Sequence, residues 1–367
     1  MFNSTIRVPT RAAALAIAAA LPCLAAAQVL TPTVSNIAYG GSSTAQRLDV
    51  YLPPGPVMPR PVLVWIHGGG WQNGDKFPAT KAAGLLAQGF AVVSINYRLT
   101  DEALHPAQIH DCKGAIRWVR ANAPTFGFDR TRVAVWGSSA GGHLVALLGV
   151  TGGVASHEGV DLEGTVGGNL GFSSRVQAVV DHFGPTDFFN LDPSHTTATS
   201  PESRLVGFWI QETLDNIGNP AFAGRISTLE SVSSVTFASS DDPPFLIAHG
   251  TADPVVPASQ SQTLSNVLSA AGVPNTLTFI EGAGHGLPPT EDAVARSFLA
   301  TVFALVPCPG DFNGDRVVNT ADLSGLLGQF GRTVTPGNPG DVDGSGTINT
   351  TDLTLLLGNF GDFCGVP

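Results

Sequence analysis

The chain has 367 residues, of which 43% are hydrophobic and 13% are charged. This composition excludes a disordered protein, because disordered chains combine low hydrophobicity with high charge, and the length predicts one large domain or two of ordinary size. The formal net charge of −11 excludes a nucleic-acid-binding protein, since binding to a phosphate backbone needs clustered Lys and Arg.

The N-terminus, residues 1–27, predicts a secretory signal peptide. Arg7 and Arg11 supply positive charge, residues 12–21 are apolar, and the alanines at 25–27 form a small-residue cleavage site. The apolar stretch is about half of the ~20 residues that a membrane-spanning helix needs, so a membrane anchor is the weaker interpretation. We therefore expect the mature protein to be secreted, or attached to the cell surface through its C-terminal part.

Residues 28–306 alternate short apolar runs with longer segments of helical periodicity. The predicted strands are residues 48–52, 62–67, 90–97, 133–137, 176–182, 245–250 and 276–281, and the predicted helices are residues 81–88, 107–123, 140–150, 259–271 and 291–305. Continuous apolar strands are typical of a sheet covered on both faces. The alternation predicts an α/β domain with a doubly wound, mostly parallel sheet, whose ligands bind beyond the carboxyl ends of the strands.

A nucleophile motif follows the fourth of these strands. Residues 137–141 read GSSAG, which fits G-x-S-x-G with Ser139 at its centre and an apolar helix directly after it. A strand, a sharp turn and a helix in this order hold the serine hydroxyl clear of the sheet at a helix N-terminus. An ordinary Gly/Ser turn is the alternative.

A serine hydroxyl needs a base to remove its proton, and the base needs a carboxylate to orient it. His285 follows the last predicted strand and Asp253 follows the strand before it, which is the chain order Ser, Asp, His expected for such a sheet. Asp187, which follows the strand at 176–182, is the rival acid.

A glycine-rich loop, HGGGW at 67–71, follows the strand at 62–67. Two of its backbone N–H groups, together with the N–H of Ala140, are suited to bind the oxygen that becomes negative during acyl transfer. A phosphate-binding loop is the alternative, but the Lys-Ser/Thr pair that such a loop needs does not follow.

Together these motifs resemble the α/β-hydrolase fold, and within it the esterases that carry HGGGW, including the branch with feruloyl and acetyl-xylan esterases. The resemblance covers roughly residues 45–305. It implies a catalytic site that uses no cofactor, with Ser139 as nucleophile, His285 as base, Asp253 as its orienting acid, and Gly69, Gly70 and Ala140 as oxyanion donors.

Residues 188–240 predict an insertion that lies over the active site. Its aromatic residues form a pocket for the acyl group or, as the alternative, pack the insertion onto the sheet; they are Phe188, Phe189, Phe208, Trp209, Phe222 and Phe237.

The C-terminal part, residues 307–367, contains a repeat: DFNGDRVVNTADLSGLLGQFG at 311–331 recurs at 341–361 as DVDGSGTINTTDLTLLLGNFG. Such a duplication predicts a separate small module. Oxygen donors at positions 1, 3, 5, 7, 9 and 12 of a twelve-residue loop suit Ca²⁺, with a solvated acidic turn as the alternative. The predicted ligands are Asp311, Asn313, Asp315, the Val317 carbonyl, Asn319 and Asp322 in the first loop, and Asp341, Asp343, Ser345, the Thr347 carbonyl, Asn349 and Asp352 in the second.

These paired loops, each followed by a leucine-rich helix, resemble a dockerin, a small all-α module of two EF-hand-like loops. The resemblance implies structural Ca²⁺ and a cohesin-like protein partner, although Arg316 stands where the first loop favours glycine. Cys308 and Cys364 bracket the module, and an oxidising compartment allows them to form a disulfide. Cys112, within a predicted helix, is expected to be a buried free thiol.

The sequence thus predicts a secreted serine esterase that acts on acetyl or feruloyl esters of plant polysaccharides. A general short-chain carboxylesterase or lipase is the alternative enzyme. A catalytically inactive hydrolase domain that serves as a calcium-dependent attachment protein is the alternative of another class.

Overall fold

The computed structural model of the protein describes residues 30–54, 59–76, 82–303, 310–312, 318–334, 338, 340–343 and 345–360. The predicted signal peptide and the predicted disulfide between Cys308 and Cys364 lie outside these residues, as do Asn313, Asp315 and Val317 of the first loop. In the part of the chain that is described, no helix combines the length and apolarity needed to cross a membrane.

The centre of the fold is an eight-stranded sheet with the strand order β1-β2-β4-β3-β5-β8-β9-β10. Strand β2 pairs antiparallel with both of its neighbours, β1 and β4. All other neighbouring strands in this sheet pair parallel. The small strands β6 and β7 form a separate hairpin. The strands are β1 Val34–Ala38, β2 Arg47–Tyr51, β3 Arg60–Ile66, β4 Ala91–Ile95, β5 Phe128–Ser138, β6 Ser156–His157, β7 Val160–Asp161, β8 Ala178–His182, β9 Phe245–Gly250 and β10 Asn275–Ile280.

Helices cover both faces of this sheet. The helices of the described residues are α1 Ala82–Ala87, α2 Ala107–Ala121, α3 Ala123–Phe126, α4 Ala140–Val150, α5 Pro201–Val206, α6 Ile210–Leu214, α7 Ala223–Val232, α8 Ser259–Ala270 and α9 Pro289–Val302, followed in the C-terminal repeats by α10 Thr320–Gly328 and α11 Thr350–Gly358. Alternate side chains of β3 enter different cores, as the period of a strand requires. Val62 and Val64 belong to the core with α2, α4 and α8, whereas Leu63 belongs to the core with α1 and α9. The predicted α/β domain with a mostly parallel sheet covered on both faces is confirmed.

The predicted elements did not include β1, the hairpin of β6 and β7, or the insertion helices α5, α6 and α7, and one predicted helix is divided in the structure. Strand β1 was not predicted, because it is an edge strand whose mostly exposed side chains leave no apolar run. The predicted helix at 107–123 is two helices, α2 and α3, which meet at Asn122. Pro124 lies in the first turn of α3, and a proline there begins a new helix more readily than it continues an old one.

The C-terminal repeats place α10 and α11 around a small core of their own, made of Val318, Leu326, Ile348 and Leu356. Each helix begins with a capping box, in which an asparagine side chain accepts from the helix and an aspartate reaches back to the N-cap N–H. The two repeats are therefore locally alike, as their sequences predict.

Candidate active site

Ser139 lies between β5 and α4 in a strained turn, with φ +57° and ψ −125°. The turn is possible because of the glycines on either side. A Cβ atom on Gly137 would lie 2.3 Å from the Gly141 carbonyl oxygen, and one on Gly141 would lie 2.2 Å from the Ile66 carbonyl oxygen. The chain therefore needs both glycines for the sharp turn that brings the Ser139 hydroxyl to the sheet edge.

The predicted triad residues meet at this edge. His285 Nε2 lies 2.9 Å from Ser139 Oγ, and His285 Nδ1 lies 2.8 Å from Asp253 Oδ2. The three residues follow β5, β10 and β9, whose carboxyl ends share one edge because these strands are parallel. Donation of the Nδ1–H to Asp253 leaves Nε2 of His285 as an acceptor for the serine hydroxyl proton.

The Asp253 carboxylate is fully buried and is held by its own loop. Its Oδ1 accepts hydrogen bonds from the backbone N–H groups of Val255, at 2.8 Å, and Val256, at 3.0 Å. These bonds orient Oδ2 towards His285 and stabilise the ionised carboxylate.

A second histidine, His249, lies beside the same carboxylate, with Nε2 3.4 Å from Asp253 Oδ2. Its Nε2–H donates to the Val256 carbonyl oxygen at 2.9 Å, and its Nδ1 accepts from the Ser261 hydroxyl at 2.7 Å. Burial lowers the pKa of His249 and so favours its neutral form. A neutral His249 does not compete with His285 as a charged partner of Asp253.

The rival acid Asp187 is used within its own loop. Its Oδ1 accepts from the Phe189 N–H at 3.0 Å, and its Oδ2 accepts from the Asn190 side-chain amide at 2.7 Å. The structure therefore assigns the contact with His285 to Asp253 and not to Asp187.

The glycine-rich loop lies opposite the nucleophile. Gly69 and Gly70 have φ values of +113° and +60°, a region that favours glycine. No hydrogen bond joins the backbone N–H of Gly69, Gly70 or Ala140 to another of the described groups. These three donors, which all line one cavity with Ser139, are therefore available to a ligand oxygen.

This cavity has a volume of about 550 Å³. Phe183, Val255, Val256 and the insertion residues His195, Pro201 and Glu202 line it together with the triad serine and histidine and the glycine loop. None of the six insertion aromatics is among its lining residues. Phe188 is instead fully buried against Trp71 and His143, so the packing alternative describes it.

Phe183, His195 and Glu202 are among the lining residues that were not anticipated from the sequence. Phe183 stands edge-on to His285, with ring centroids 4.7 Å apart. It follows β8 directly, so the rule that site residues follow the strands could have identified it. His195 lies in the short helical turn Pro193–His195 and Glu202 in the first turn of α5, and these elements are too short for periodicity or a motif to mark them.

A buried acid lies directly beneath the nucleophile turn. Asp181, at the end of β8, accepts one hydrogen bond from the Gly184 N–H at 3.0 Å, and its other oxygen has no partner among the described residues. Burial raises the pKa of Asp181 to about 7, because the ionised form is not compensated there.

In the second repeat loop, carboxylate oxygens of Asp341, Asp343 and Asp352 lie within 4.8 Å of one another. The other predicted ligands of that loop bond to one another: Ser345 Oγ and Asn349 Nδ2 both donate to the Thr347 carbonyl oxygen, at 3.2 Å and 2.9 Å. The structure thus brings the three carboxylates together, and the remaining predicted ligands form hydrogen bonds within the loop.

Comparison with known proteins points to one family. The family model described as BD-FAE matches residues 48–268. Esterase LipC of Mycobacterium tuberculosis is 34% identical over 255 residues, which are 67% of this chain and 58% of LipC. The chain thus spans little more than half the length of that curated relative.

Two solved structures with similar sequences are described as carbohydrate esterases. A truncated carbohydrate esterase from gut microbiota is 35% identical with a TM-score of 0.67, and the match covers 76% of this chain and 98% of that one. A bifunctional GH43-CE protein of Bacteroides eggerthii is 36% identical with a TM-score of 0.64, over 73% of this chain and 38% of that one.

Proposed function

The chain belongs to the BD-FAE family of α/β-hydrolase esterases, and we propose that it hydrolyses carboxylic esters through an acyl-enzyme formed on Ser139. The observation that carries this proposal is the continuous series of hydrogen bonds from Asp253 through His285 to the Ser139 hydroxyl. That geometry suits a nucleophile, a general base and an orienting acid.

In the proposed reaction, His285 Nε2 takes the proton of Ser139 as Oγ attacks the ester carbonyl carbon. The carbonyl oxygen becomes negative and accepts hydrogen bonds from the N–H groups of Gly69, Gly70 and Ala140, each worth roughly 3 kcal/mol in such sites. His285 then gives its proton to the departing alcohol oxygen. In the second half, water attacks the acyl-enzyme, His285 accepts a water proton, and the acid leaves as the proton returns to Ser139. No cofactor takes part in these steps.

For the substrate class, we propose ester groups on plant polysaccharides, acetyl or feruloyl. The support comes from the two similar structures described as carbohydrate esterases and from the signal-peptide pattern at the N-terminus, which suits an enzyme secreted to act on extracellular polymers. Acetylated xylan, methyl ferulate and tributyrin, compared at equal ester concentration, test this. Preference for tributyrin identifies the general carboxylesterase or lipase of the alternative prediction.

Activity against p-nitrophenyl acetate decides between an enzyme and an inactive attachment protein. The assembled triad supports the enzyme. A purified wild-type protein that releases no p-nitrophenol above the buffer rate contradicts the proposed function.

For the C-terminal repeats, we propose a Ca²⁺-stabilised module that docks onto a cohesin-like protein. The support is the group of three carboxylates in the second loop and, within it, Asp341 Oδ1, a buried oxygen with no hydrogen-bond partner among the described residues. An unpaired carboxylate oxygen in such a group suits a hard cation, which would neutralise the mutual repulsion of the three charges. Limited proteolysis of the full chain with Ca²⁺ or with EDTA tests this, and equal rates of cleavage after residue 307 contradict it.

A further inference from the structure

One wall of the active-site cavity carries a buried ion pair that the reaction proposed above does not use. The short helical turn Pro193–His195 and the first turn of α5 bring His195 and Glu202 together, with His195 Nδ1 2.9 Å from Glu202 Oε1. Both residues line the same cavity as Ser139 and His285.

The pair leaves one acceptor unused. The Glu202 side chain is only 4% exposed, and its second oxygen, Oε2, makes no hydrogen bond to any of the described residues. Buried carboxylate oxygens are seldom left without a donor, because the lost hydration is costly. An ionised carboxylate only accepts hydrogen bonds, so a ligand that satisfies Oε2 must bring a donor.

The charges around Oε2 favour a neutral donor. The hydrogen bond to Glu202 raises the pKa of His195, so the imidazolium form is favoured beside the carboxylate. The imidazolium offsets the charge of Glu202, and it would repel an ammonium group brought to the same wall. A hydroxyl group meets both conditions: it donates a hydrogen bond and carries no charge.

The wall is also rigid and close to the oxyanion loop. A Cβ atom on Gly70 would lie 3.4 Å from Cβ of Pro201, the residue before Glu202. The Ser200 side chain caps α5 by accepting from the Ser203 N–H at 3.2 Å, and Leu205 anchors the helix in the main core. Glu202 is therefore held at a fixed place in the wall of the cavity that contains Ser139.

We propose that Glu202 Oε2, positioned by His195, accepts a hydrogen bond from a hydroxyl group of the substrate, so that the enzyme selects esters that carry a hydroxyl within reach of this cavity wall. The inference rests on the proposed ester hydrolysis and names the substrate chemistry of that same site. The hydroxyl belongs either to the alcohol part, as in a partly acetylated sugar, or to the acyl part, as in a hydroxycinnamate.

Two substrate pairs test the wild-type protein and distinguish these sources. The first is a mono-acetylated methyl glycoside and its deoxy analogue, which lacks the hydroxyl next to the ester; the second is methyl 4-hydroxycinnamate and methyl cinnamate. We expect kcat/KM to favour the hydroxyl-bearing member of one pair by about 10- to 100-fold, since a site built around a polar contact rejects an analogue that lacks it. Discrimination below about twofold in both pairs overturns the proposal.

The variant Glu202→Gln tests the residue itself. Its amide keeps the size of the side chain, and with its oxygen accepting from His195 it presents an N–H donor to the cavity where wild type presents an acceptor. The discrimination within the favoured pair should fall to below about threefold, whereas Glu212→Gln, at an exposed glutamate of the same insertion, should keep the wild-type ratio.

The outcomes separate the two proposals. Wild-type protein that hydrolyses none of these esters contradicts the proposed function, whereas hydrolysis without discrimination, or full discrimination in Glu202→Gln, contradicts only the role of Glu202. If thermal unfolding shows that Glu202→Gln is not folded, the wild-type ratios for the two pairs still decide the proposal.

Discussion

The sheet edge contains a buried carboxylate, and the second repeat loop contains two buried carboxylates and one exposed carboxylate, Asp343. The groups that surround the negative charge differ between the two regions. At the sheet edge Asp253 receives two backbone N–H groups and the His285 ring. In the loop, Asp341, Asp343 and Asp352 lie within 4.8 Å of one another, and Asp341 Oδ1 has no partner among the described residues. The donors of the first site come from the protein itself, whereas the Ca²⁺ proposed for the second site would come from solution.

The largest expected effect tests whether the sheet-edge site is complete as it stands. Ser139→Ala should lower kcat for p-nitrophenyl acetate by about 10⁴-fold or more, because the nucleophile, base and acid act as a unit. Steady-state kinetics measure this, and Ser227→Ala, at a half-buried serine of α7 that does not line the active-site cavity, is the control. A variant that keeps a tenth of wild-type turnover shows that Ser139 is not the nucleophile.

A somewhat smaller loss is expected when the compensated carboxylate is made neutral. Asp253→Asn should lower kcat by roughly 10³- to 10⁴-fold, because the amide no longer holds His285 in the tautomer that accepts the serine proton. Asp187→Asn is the matched control at the rival acid, and its kcat should stay within about threefold of wild type. Equal losses of kcat in the two variants would contradict the assignment of Asp253, and not Asp187, as the acid that orients His285.

Asp181 lies in the same domain as Asp253, but apart from the Gly184 N–H no groups among the described residues compensate the charge that its ionised carboxylate would carry. Its pKa is raised to about 7, so the folded protein holds a proton that the unfolded chain releases near pH 4. More protons bound to the folded state mean that the free energy of unfolding falls as pH rises between about 4 and 7.

Asp181→Asn, which stays neutral, should remove this fall. The difference in free energy of unfolding between the variant and wild type should therefore grow in favour of the variant, by on the order of a few kcal/mol, as the pH rises from 4 to 8. Urea unfolding at both pH values measures it. Parallel pH dependence in wild type and variant would mean that Asp181 does not carry the effect.

The smallest expected effect concerns the loop that is proposed to bind Ca²⁺. Asp343→Asn should raise the Kd of one Ca²⁺ site by about tenfold, or roughly 1.4 kcal/mol, since the loop loses one of its three charges. Calorimetric titration of the full chain measures it, with Asp241→Asn at an exposed ion pair as control. EDTA should leave kcat/KM for p-nitrophenyl acetate unchanged, and a large drop would contradict the independence of the two sites.

Much of the fold was predictable because it follows local patterns. The buried strands are continuous apolar runs, α4 begins and ends where its periodicity does, and the turn at Ser139 is marked by glycines that have no room for a side chain. The edge strand β1 and the break between α2 and α3 were missed, because an exposed strand and a proline-initiated turn carry little periodic signal.

By itself, the sequence determined the class of the sheet, the nucleophile turn and the order of the candidate acid and base, since each depends on residues that are neighbours along the chain. The tertiary structure alone decided that Asp253 and not Asp187 faces His285, and that His195 and Glu202 line the cavity. Such contacts join distant residues, as in the 146 positions between Ser139 and His285. Strand order and the path of the insertion bring them together, and no local pattern encodes either.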